Sequence, residues 1–340
     1  MANAQAISKG TKNEKGSNGG VLKIAQQAQN LSVLLFLVLL YVVVGILNPN
    51  YISGDNLANI IVETAILAVV AYGMTFAIAM GVFDLSVGSI QALCASVVAT
   101  MLMTHGIITS IGIALVVGFL IGIVNGVLIS KLRVPAFVAT LGTMSVVRGA
   151  ALLYTDGVSI LIKNQSFGAF NTRSILGIPL PIMIAVVILI VLWAIFKHTP
   201  FGRHIAAVGG NPNAAVAAGL NVDRITIIVF GIVGLTAAFS GVMLSSQLMN
   251  VTGSMGMGLE MNAIAAVVLG GTSMQGGRGS LVGTLVGAFL LSSISTALDI
   301  LNIPSFFQYL ATGLLLIGAL SLDSARRQLI KSLLRRSART

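Results

Sequence analysis

Charged residues are scarce in this chain of 340 residues, since Asp, Glu, Lys and Arg together make up only 8% of it. Soluble domains carry about 25% charged residues. No soluble fold of this length could hide the apolar remainder, which is 56% of the residues. The composition therefore excludes an ordinary soluble domain and indicates a protein whose solvent is lipid. Glycine is frequent instead, with 38 residues, as is typical of helices that pack closely in membranes.

Cysteine, histidine and acidic residues are too few for the usual catalytic or metal centres. Cys94 is the only cysteine and the three histidines are scattered, so neither an intrachain disulfide nor a zinc site is predicted. No Gly-x-x-x-x-Gly-Lys-Ser/Thr segment occurs, which argues against a phosphate-binding loop in this chain. We therefore predict no catalytic residue, no metal and no bound cofactor, and regard a membrane enzyme as the weakest interpretation.

Ten apolar segments suggest membrane-spanning helices, each of which needs about 20 apolar residues. The segments are residues 31–47, 58–80, 86–103, 107–130, 135–154, 178–196, 225–249, 259–273, 280–299 and 305–322. The predicted fold is an all-α membrane protein, a polytopic bundle of about ten transmembrane helices. The third, fifth and eighth segments are short or carry polar residues, so broken or re-entrant helices are expected there.

Basic residues cluster on one side of these segments. With both termini in the cytoplasm, sixteen of the nineteen Lys and Arg residues fall on the inner side, as the positive-inside rule requires. This predicts a disordered cytoplasmic tail at 1–30, a membrane domain at 31–322 and a basic cytoplasmic tail at 323–340. Because the positive charges flank apolar spans, they indicate anionic lipid headgroups and not nucleic acid as the partner.

The largest inner loop, residues 197–224, contains the strongest local signal. Asn211 can cap a short helix that begins with Pro212, the Ala-rich run 214–218 favours a helix, and Gly219 can end it in a left-handed conformation. Such a helix could fit a groove on a partner protein and transmit a push to the spans. An ordinary interfacial helix explains the same residues equally well.

This loop resembles the ATPase-contacting loop of the ribose/arabinose/galactose-type ABC importer permeases. Three further segments resemble the same family in the same order, namely residues 84–89, residues 125–126 with 135–142, and residues 260–279. The resemblance covers the chain from about residue 48 to the end, with mild departures at Val82-Phe83 and Ala218. The ATPase-coupling residues implied by the resemblance are Gly202, Arg203, Gly209, Gly210, Asn211, Ala214, Ala215 and Gly219.

The resemblance implies the permease subunit of an ATP-driven, binding-protein-dependent monosaccharide importer in the bacterial inner membrane. Its expected partners are a separate ATP-binding subunit, usually a fused double ATPase that uses the ATP, a soluble sugar-binding protein that meets the outer loop 155–177, and a second permease copy. Two alternatives stay open: an ABC permease for a non-sugar solute such as a branched-chain amino acid, and an ion-driven secondary transporter. Glu63 is the only clear mid-span acid, which disfavours the latter.

Polar residues in or beside apolar spans are candidates for the translocation pathway. Asp84 or Ser86 could cap the third helix, and capping alone would explain both. Arg148 shares the fifth span with threonine hydroxyls that could bind either sugar or the helix backbone. The candidate pathway residues are Asp84, Ser86, Ser89, Asn125, Thr140, Thr143, Arg148, Glu260 and Asn262.

Two patterns concern helix packing. Gly118, Gly122 and Gly126 recur every four residues on the fourth span, which favours close helix approach within the chain over a dimer seam. Residues 80–88 resemble residues 269–277 at four positions when the sequence is shifted by 189, a weak indication of an internal duplication.

Overall fold

The computed structural model of the protein describes residues 35–175 and 177–304, together with residues 306, 307, 310, 311, 313, 314, 317, 318 and 321. The predicted tails 1–30 and 323–340, and much of the last predicted span, lie outside the described residues. The helices are α1 (Leu35–Leu47), α2 (Gly54–Ala79), α3 (Val87–Met101), α4 (Ile107–Ser130), α5 (Ala136–Tyr154), α6 (Gln165–Thr172), α7 (Leu180–His198), α8 (Pro200–Gly210), α9 (Pro212–Ala217), α10 (Val222–Leu248), α11 (Leu259–Leu269) and α12 (Leu281–Ile300). The strands are β1 (Ile160–Leu161), β2 (Ser174–Ile175), β3 (Ile178–Pro179) and β4 (Asn250–Val251).

The prediction of an all-α membrane protein is confirmed. Among the described residues, six helices are long and apolar enough to cross a membrane: α2, α4, α5, α7, α10 and α12. Most residues of α2 and α10 are buried, whereas most residues of α4, α5 and α7 are half-buried or exposed. The apolar outer helices therefore surround two central ones, as expected when the surrounding solvent is lipid.

Two of the short helices cannot cross the membrane alone. The 11 residues of α11 and the 15 of α3 rise about 16 and 22 Å, less than the ~30 Å hydrocarbon core. Non-helical residues precede both, at 82–86 and 252–258. The expectation of broken spans is correct for the third and eighth segments. It is wrong for the fifth, because α5 runs unbroken for 19 residues and its hydroxyls bond to its own backbone.

The two ends of α10 define two faces of the molecule. Its 27 residues span about 40 Å. At the first end, Asp223 forms ion pairs with Lys131 and Arg133, at 3.0 and 3.2 Å. At the other end, β4 pairs antiparallel with β1, which joins the predicted outer loop 155–177 to the chain after α10. The loops predicted to lie on opposite sides of the membrane are thus at opposite ends of this helix.

The helices α2 and α11 end in the same way. After α2, the Gly81 N–H donates to the Ile78 carbonyl and the Val82 N–H to the Ala77 carbonyl. After α11, the N–H groups of Gly271 and Thr272 donate to Val268 and Val267 in the same pattern. Gly81 and Gly271 have φ values of +84° and +87°, which glycine adopts without strain. These glycines are 190 positions apart, so the correspondence is shifted by one residue from the predicted 189.

Candidate functional site

The predicted inner loop folds into two consecutive helices, α8 and α9. Asn211 separates them and caps α9, since its Oδ1 accepts the Ala214 N–H at 3.0 Å. Gly219 follows with φ +82°. The Asn211 cap and the left-handed Gly219 are therefore confirmed. The preceding helix α8 was not predicted, because Gly202, Gly209 and Gly210 lower its intrinsic helix propensity.

The predicted ATPase-coupling residues divide into two sets by exposure. Those that face outward, away from the rest of the chain, are Arg203, Gly210, Asn211, Ala214 and Gly219. Those that are buried are Gly202, Gly209 and Ala215. Neighbouring residues of one motif, such as Ala214 and Ala215, thus point to different environments. The outward set forms a small-sided surface on α8 and α9, and the buried set attaches these helices to the membrane-spanning part.

The buried glycines of α8 permit close backbone contacts. A methyl group on Gly202 would overlap the carbonyl of Phe196, at the end of α7. A methyl group on Gly209 would overlap the Ala79 carbonyl oxygen and lie 2.6 Å from the Gly277 nitrogen. The end of α8 therefore touches both the end of α2 and the irregular segment between α11 and α12.

Asp84, Ser86 and Asn125 form a buried polar cluster that links the break before α3 to α4. Asp84 Oδ1 accepts the Ser86 backbone N–H at 2.8 Å and the Ser86 hydroxyl at 2.5 Å. Asn125 Nδ2 donates to Ser86 Oγ at 2.9 Å and to Asp84 Oδ2 at 3.3 Å. All three side chains are fully buried within the chain. Asp84 thus holds the turn that precedes α3, and Asn125 supports it. The predicted side-chain cap of α3 is wrong, because Ser86 is the N-cap residue and no side chain bonds to the first amides of the helix.

Arg148 and Glu260 lie at the irregular segment 252–258, near the surface of the chain. Arg148 Nη1 donates to the carbonyls of Gly253 and Met255, at 2.9 and 2.5 Å. Glu260 Oε2 lies where a methyl group on Gly88 would be 2.8 Å away, so this carboxylate rests on the first turn of α3. Both side chains are half-buried, which leaves them accessible from outside the chain.

The remaining candidates differ in their surroundings. Thr140 is buried and donates to the Ala136 carbonyl at 2.9 Å, and Ser89 is buried and donates to the Ser86 carbonyl at 2.8 Å. Thr143 and Asn262 are half-buried. Glu63, the mid-span acid, accepts the Thr296 hydroxyl at 3.1 Å across α2 and α12. The accessible members of the predicted pathway set, Thr143, Arg148, Glu260 and Asn262, therefore lie on α5 and α11.

Sequence reasoning missed Gln91, a buried amide that joins three helices. Its Nε2 donates to Ser240 Oγ at 2.7 Å, and the Ser240 hydroxyl donates to the Ile66 carbonyl at 3.0 Å. Its Oε1 has no protein partner and lies beside Gly256. The sequence does contain a signal for Gln91, because an amide side chain within an apolar span needs a hydrogen-bond partner.

Comparison with known proteins places this architecture in a family. The family model described as branched-chain amino acid transport system / permease component matches residues 56–320. The ribose import permease of Haemophilus influenzae is 40% identical over 293 residues, which cover 85% of this chain and 91% of that protein. The L-arabinose ABC transporter permease of Azospirillum brasilense is 36% identical over 312 residues, covering 92% and 91%. The autoinducer 2 import system permease of Yersinia pseudotuberculosis is 37% identical over 309 residues, covering 90% and 88%.

No solved structure matches the chain. The family model, however, covers well over half of the sequence, and the relatives align over nearly their whole length. The chain is thus a transport subunit and not an enzyme, and it belongs to the BPD_transp_2 family of membrane permease components, among the sugar permeases of ABC importers.

Proposed function

We propose that this chain imports a monosaccharide across the bacterial inner membrane, with ATP hydrolysis supplied by a separate subunit. The observation that carries the proposal is the exposed surface of α8 and α9, formed by Arg203, Gly210, Asn211, Ala214 and Gly219. Because most of these residues are small, this pair of short helices could fit closely into a groove on a partner protein. A soluble domain that binds and hydrolyses ATP is the expected occupant of that surface in an importer of this family.

The partners follow from the same family membership. The ATP-binding subunit is expected to be a fused double ATPase that docks on α8 and α9, so ATP itself is bound by the partner. A soluble sugar-binding protein outside the cell would deliver the cargo to the loop 155–177, which carries α6 and the pairing of β1 with β4. Affinity for the sugar would then reside in the delivery protein, and the permease needs only weak cargo contacts.

Membrane topology is the second part of the proposal. We assign ten spans, with the tail 1–30 and the tail 323–340 in the cytoplasm. In support, the ion pairs of Asp223 with Lys131 and Arg133 lie at the same end of α10 as α8 and α9. Positive charge on that face agrees with a cytoplasmic location.

The cargo pathway is proposed to lie along α5 and α11, between two copies of the chain. The helix α5 is as exposed as α4 and is less apolar than α4 or α7, so lipid is a poor partner for its whole surface. Half-buried polar side chains on this side of the chain include Thr143, Arg148, Glu260 and Asn262. Ionisable groups at membrane depth face protein or water, and a second permease copy would provide both. The buried residues Asp84, Ser86, Ser89, Asn125 and Thr140 would support this pathway from behind.

The kind of cargo is inferred from the relatives. The names of the matched permeases specify ribose, L-arabinose and autoinducer 2, whereas the family description specifies branched-chain amino acids. Because the specific relatives cover almost the whole chain, a monosaccharide is favoured over an amino acid. Guanidinium, carboxylate and amide groups, as on Arg148, Glu260 and Asn262, can all hydrogen-bond sugar hydroxyls.

The test is transport in proteoliposomes that contain the permease, its ATPase subunit and its sugar-binding protein. We expect uptake of one sugar from a panel of ribose, arabinose, galactose and autoinducer 2, and we expect it to require ATP hydrolysis. Uptake should continue when an uncoupler collapses the proton gradient at constant ATP. Uptake by the permease alone, abolished by the uncoupler, would show a secondary transporter and refute the proposal.

The docking surface has its own test. Ala214→Trp places a bulky side chain on the exposed face of α9, so sugar-stimulated ATP hydrolysis should be lost while insertion into the membrane is normal. Ile108→Trp, exposed at the start of α4 and outside the assigned interfaces, is the control and should leave sugar-stimulated ATP hydrolysis unchanged. Normal coupling in Ala214→Trp would contradict the docking assignment.

A further inference from the structure

The end of α8 meets two other elements at one point, through backbone atoms alone. The Gly277 N–H donates to the Ala79 carbonyl at 2.8 Å, which joins the irregular segment 270–280 to the end of α2. Gly209 lies directly on this hydrogen bond, because a methyl group there would contact both of its partners. Gly276, with φ +79°, approaches Gly209 so closely that a methyl group would lie 2.6 Å from the Gly209 carbonyl oxygen.

Side chains extend the same contact toward α7 and α12. The ring of Phe196, at the end of α7, packs edge-on against Phe76 of α2, with centroids 5.2 Å apart. A methyl group on Gly279 would lie 2.8 Å from the tip of that ring. Thr75 of α2 and Thr284 of α12 share a hydrogen bond of 2.8 Å between their hydroxyls. The ends of α2, α7, α8 and α12 are thus packed together around one small volume.

Direct backbone contact has a mechanical consequence. Side chains can change rotamer when a neighbouring helix moves, whereas two backbones in contact leave no flexible group between them, and close-packed interiors transmit strain. A displacement of α8 would therefore move the end of α2 and the segment 270–280 with little slack. The end of α2 adjoins the break between α2 and α3, and the segment 270–280 is itself the break between α11 and α12.

We propose that Gly209, Gly276 and the Ala79 carbonyl form a transmission junction, through which movement of α8 reaches the two helix breaks. Gly209 and Gly276 are positioning residues, since they touch neither cargo nor nucleotide. This inference rests on the proposed function, because it requires that a partner moves α8. The inference identifies the place in the membrane domain where a movement of α8 would be transmitted to the other helices.

The experiment compares Gly209→Ala with Gly112→Ala in proteoliposomes with the ATPase subunit and the sugar-binding protein. Gly112 is an exposed helical glycine with nothing within 4 Å of an added methyl group, so it controls for the general effect of alanine in a helix. Gly209 is buried and lies outside the exposed docking surface of α8 and α9, so the ATPase subunit should still bind to Gly209→Ala. The amount of sugar moved per ATP hydrolysed should fall about tenfold, within the range of coupling between distant sites.

Phe196→Leu is the second variant, because it loosens the same junction without forcing backbones apart, and we expect a smaller fall in the same ratio. A normal ratio in any variant that assembles with the ATPase subunit would overturn the inference, and so would a failure of both variants to assemble. These outcomes differ from failure of the proposed function, in which wild-type protein would show no ATP-dependent uptake at all.

Discussion

At Arg148, one guanidinium nitrogen donates to two backbone carbonyls of the irregular segment 252–258. The carbonyls of Gly253 and Met255 lie in a non-helical segment, so Arg148 supplies hydrogen bonds that a helix would otherwise provide. The residue therefore has a structural task that is independent of any contact with cargo. Glu260, two residues after this segment, has its carboxylate against Gly88 in the first turn of α3.

Replacement of Arg148 should therefore reduce stability. Arg148→Met leaves two part-buried carbonyls without this donor, which costs at most ~1–3 kcal/mol for each group, so the thermal unfolding midpoint in detergent should fall. Arg148→Lys should retain most of the stability, because a single ammonium nitrogen carries three donors and only one nitrogen is used here.

Arg173→Met is the control for this measurement, since Arg173 is exposed in the loop 155–177. Its unfolding midpoint should match that of the wild type. Equal midpoints for Arg148→Met and the wild type would mean that the two carbonyls find other donors.

Individual residues could be predicted from the sequence where the physics is local. The cap by Asn211 and the left-handed Gly219 depend only on neighbours in the chain, and both predictions are correct. Asn125 was proposed from its motif, but its contact with Asp84, 41 positions away, could not be deduced. Partners that are distant in the sequence depend on how helices pack, and the apolar pattern of these helices does not determine that packing.

The helices α4 and α10 approach each other closely through glycine. A methyl group on Gly122 would overlap the Phe230 carbonyl, and one on Gly126 would lie 2.6 Å from the Ile227 Cα. On α10, Gly234 makes the reciprocal approach toward Gly118 and Gly122. The glycine stripe of the fourth span therefore serves packing within one chain, as the sequence favoured, and small residues on both helices make this approach geometrically feasible.

A larger side chain in this stripe should separate α4 from α10. For Gly122→Val we expect a loss of about 1–3 kcal/mol, typical of overpacking, which thermal unfolding in detergent would detect as a lower midpoint. Gly112→Val is the matched control on the same helix, because nothing lies within 4 Å of a methyl group there. If the stripe were a dimer seam instead, Gly122→Val would change the oligomeric mass and leave the midpoint of the single chain intact.

The limits of the helices were predictable to within a few residues, because long apolar runs bounded by glycine, proline and capping residues specify them. The state of short polar spans was less predictable. The segment around residue 259 is short, as expected, but α5 is continuous, and the hydroxyls of Thr140 and Ser145 donate to carbonyls one turn earlier. A count of polar residues cannot distinguish a hydroxyl that bonds to its own helix from one that interrupts it.

In the whole molecule, the ion pairs and the packing contacts define the same two opposite faces. One face carries α8 and α9, the ion pairs of Asp223, and the packed ends of α2 and α7. The other carries the pairing of β1 with β4 and the helix α6, whose Phe167 carbonyl accepts the Ser246 hydroxyl at 2.7 Å. An importer needs this polarity, since delivery and energy input occur on opposite sides of the membrane.

The orientation of these faces can be tested by labelling intact cells with a membrane-impermeant maleimide. Lys163→Cys lies in the exposed loop 155–177 and should react in intact cells, whereas Asn213→Cys, exposed on α9, should react only after the membrane is permeabilised. Wild-type protein is the unlabelled control, because Cys94, its only cysteine, is fully buried. Labelling of Asn213→Cys in intact cells would put α9 outside, where no ATP-hydrolysing partner could reach it, and would overturn both the topology and the docking assignment.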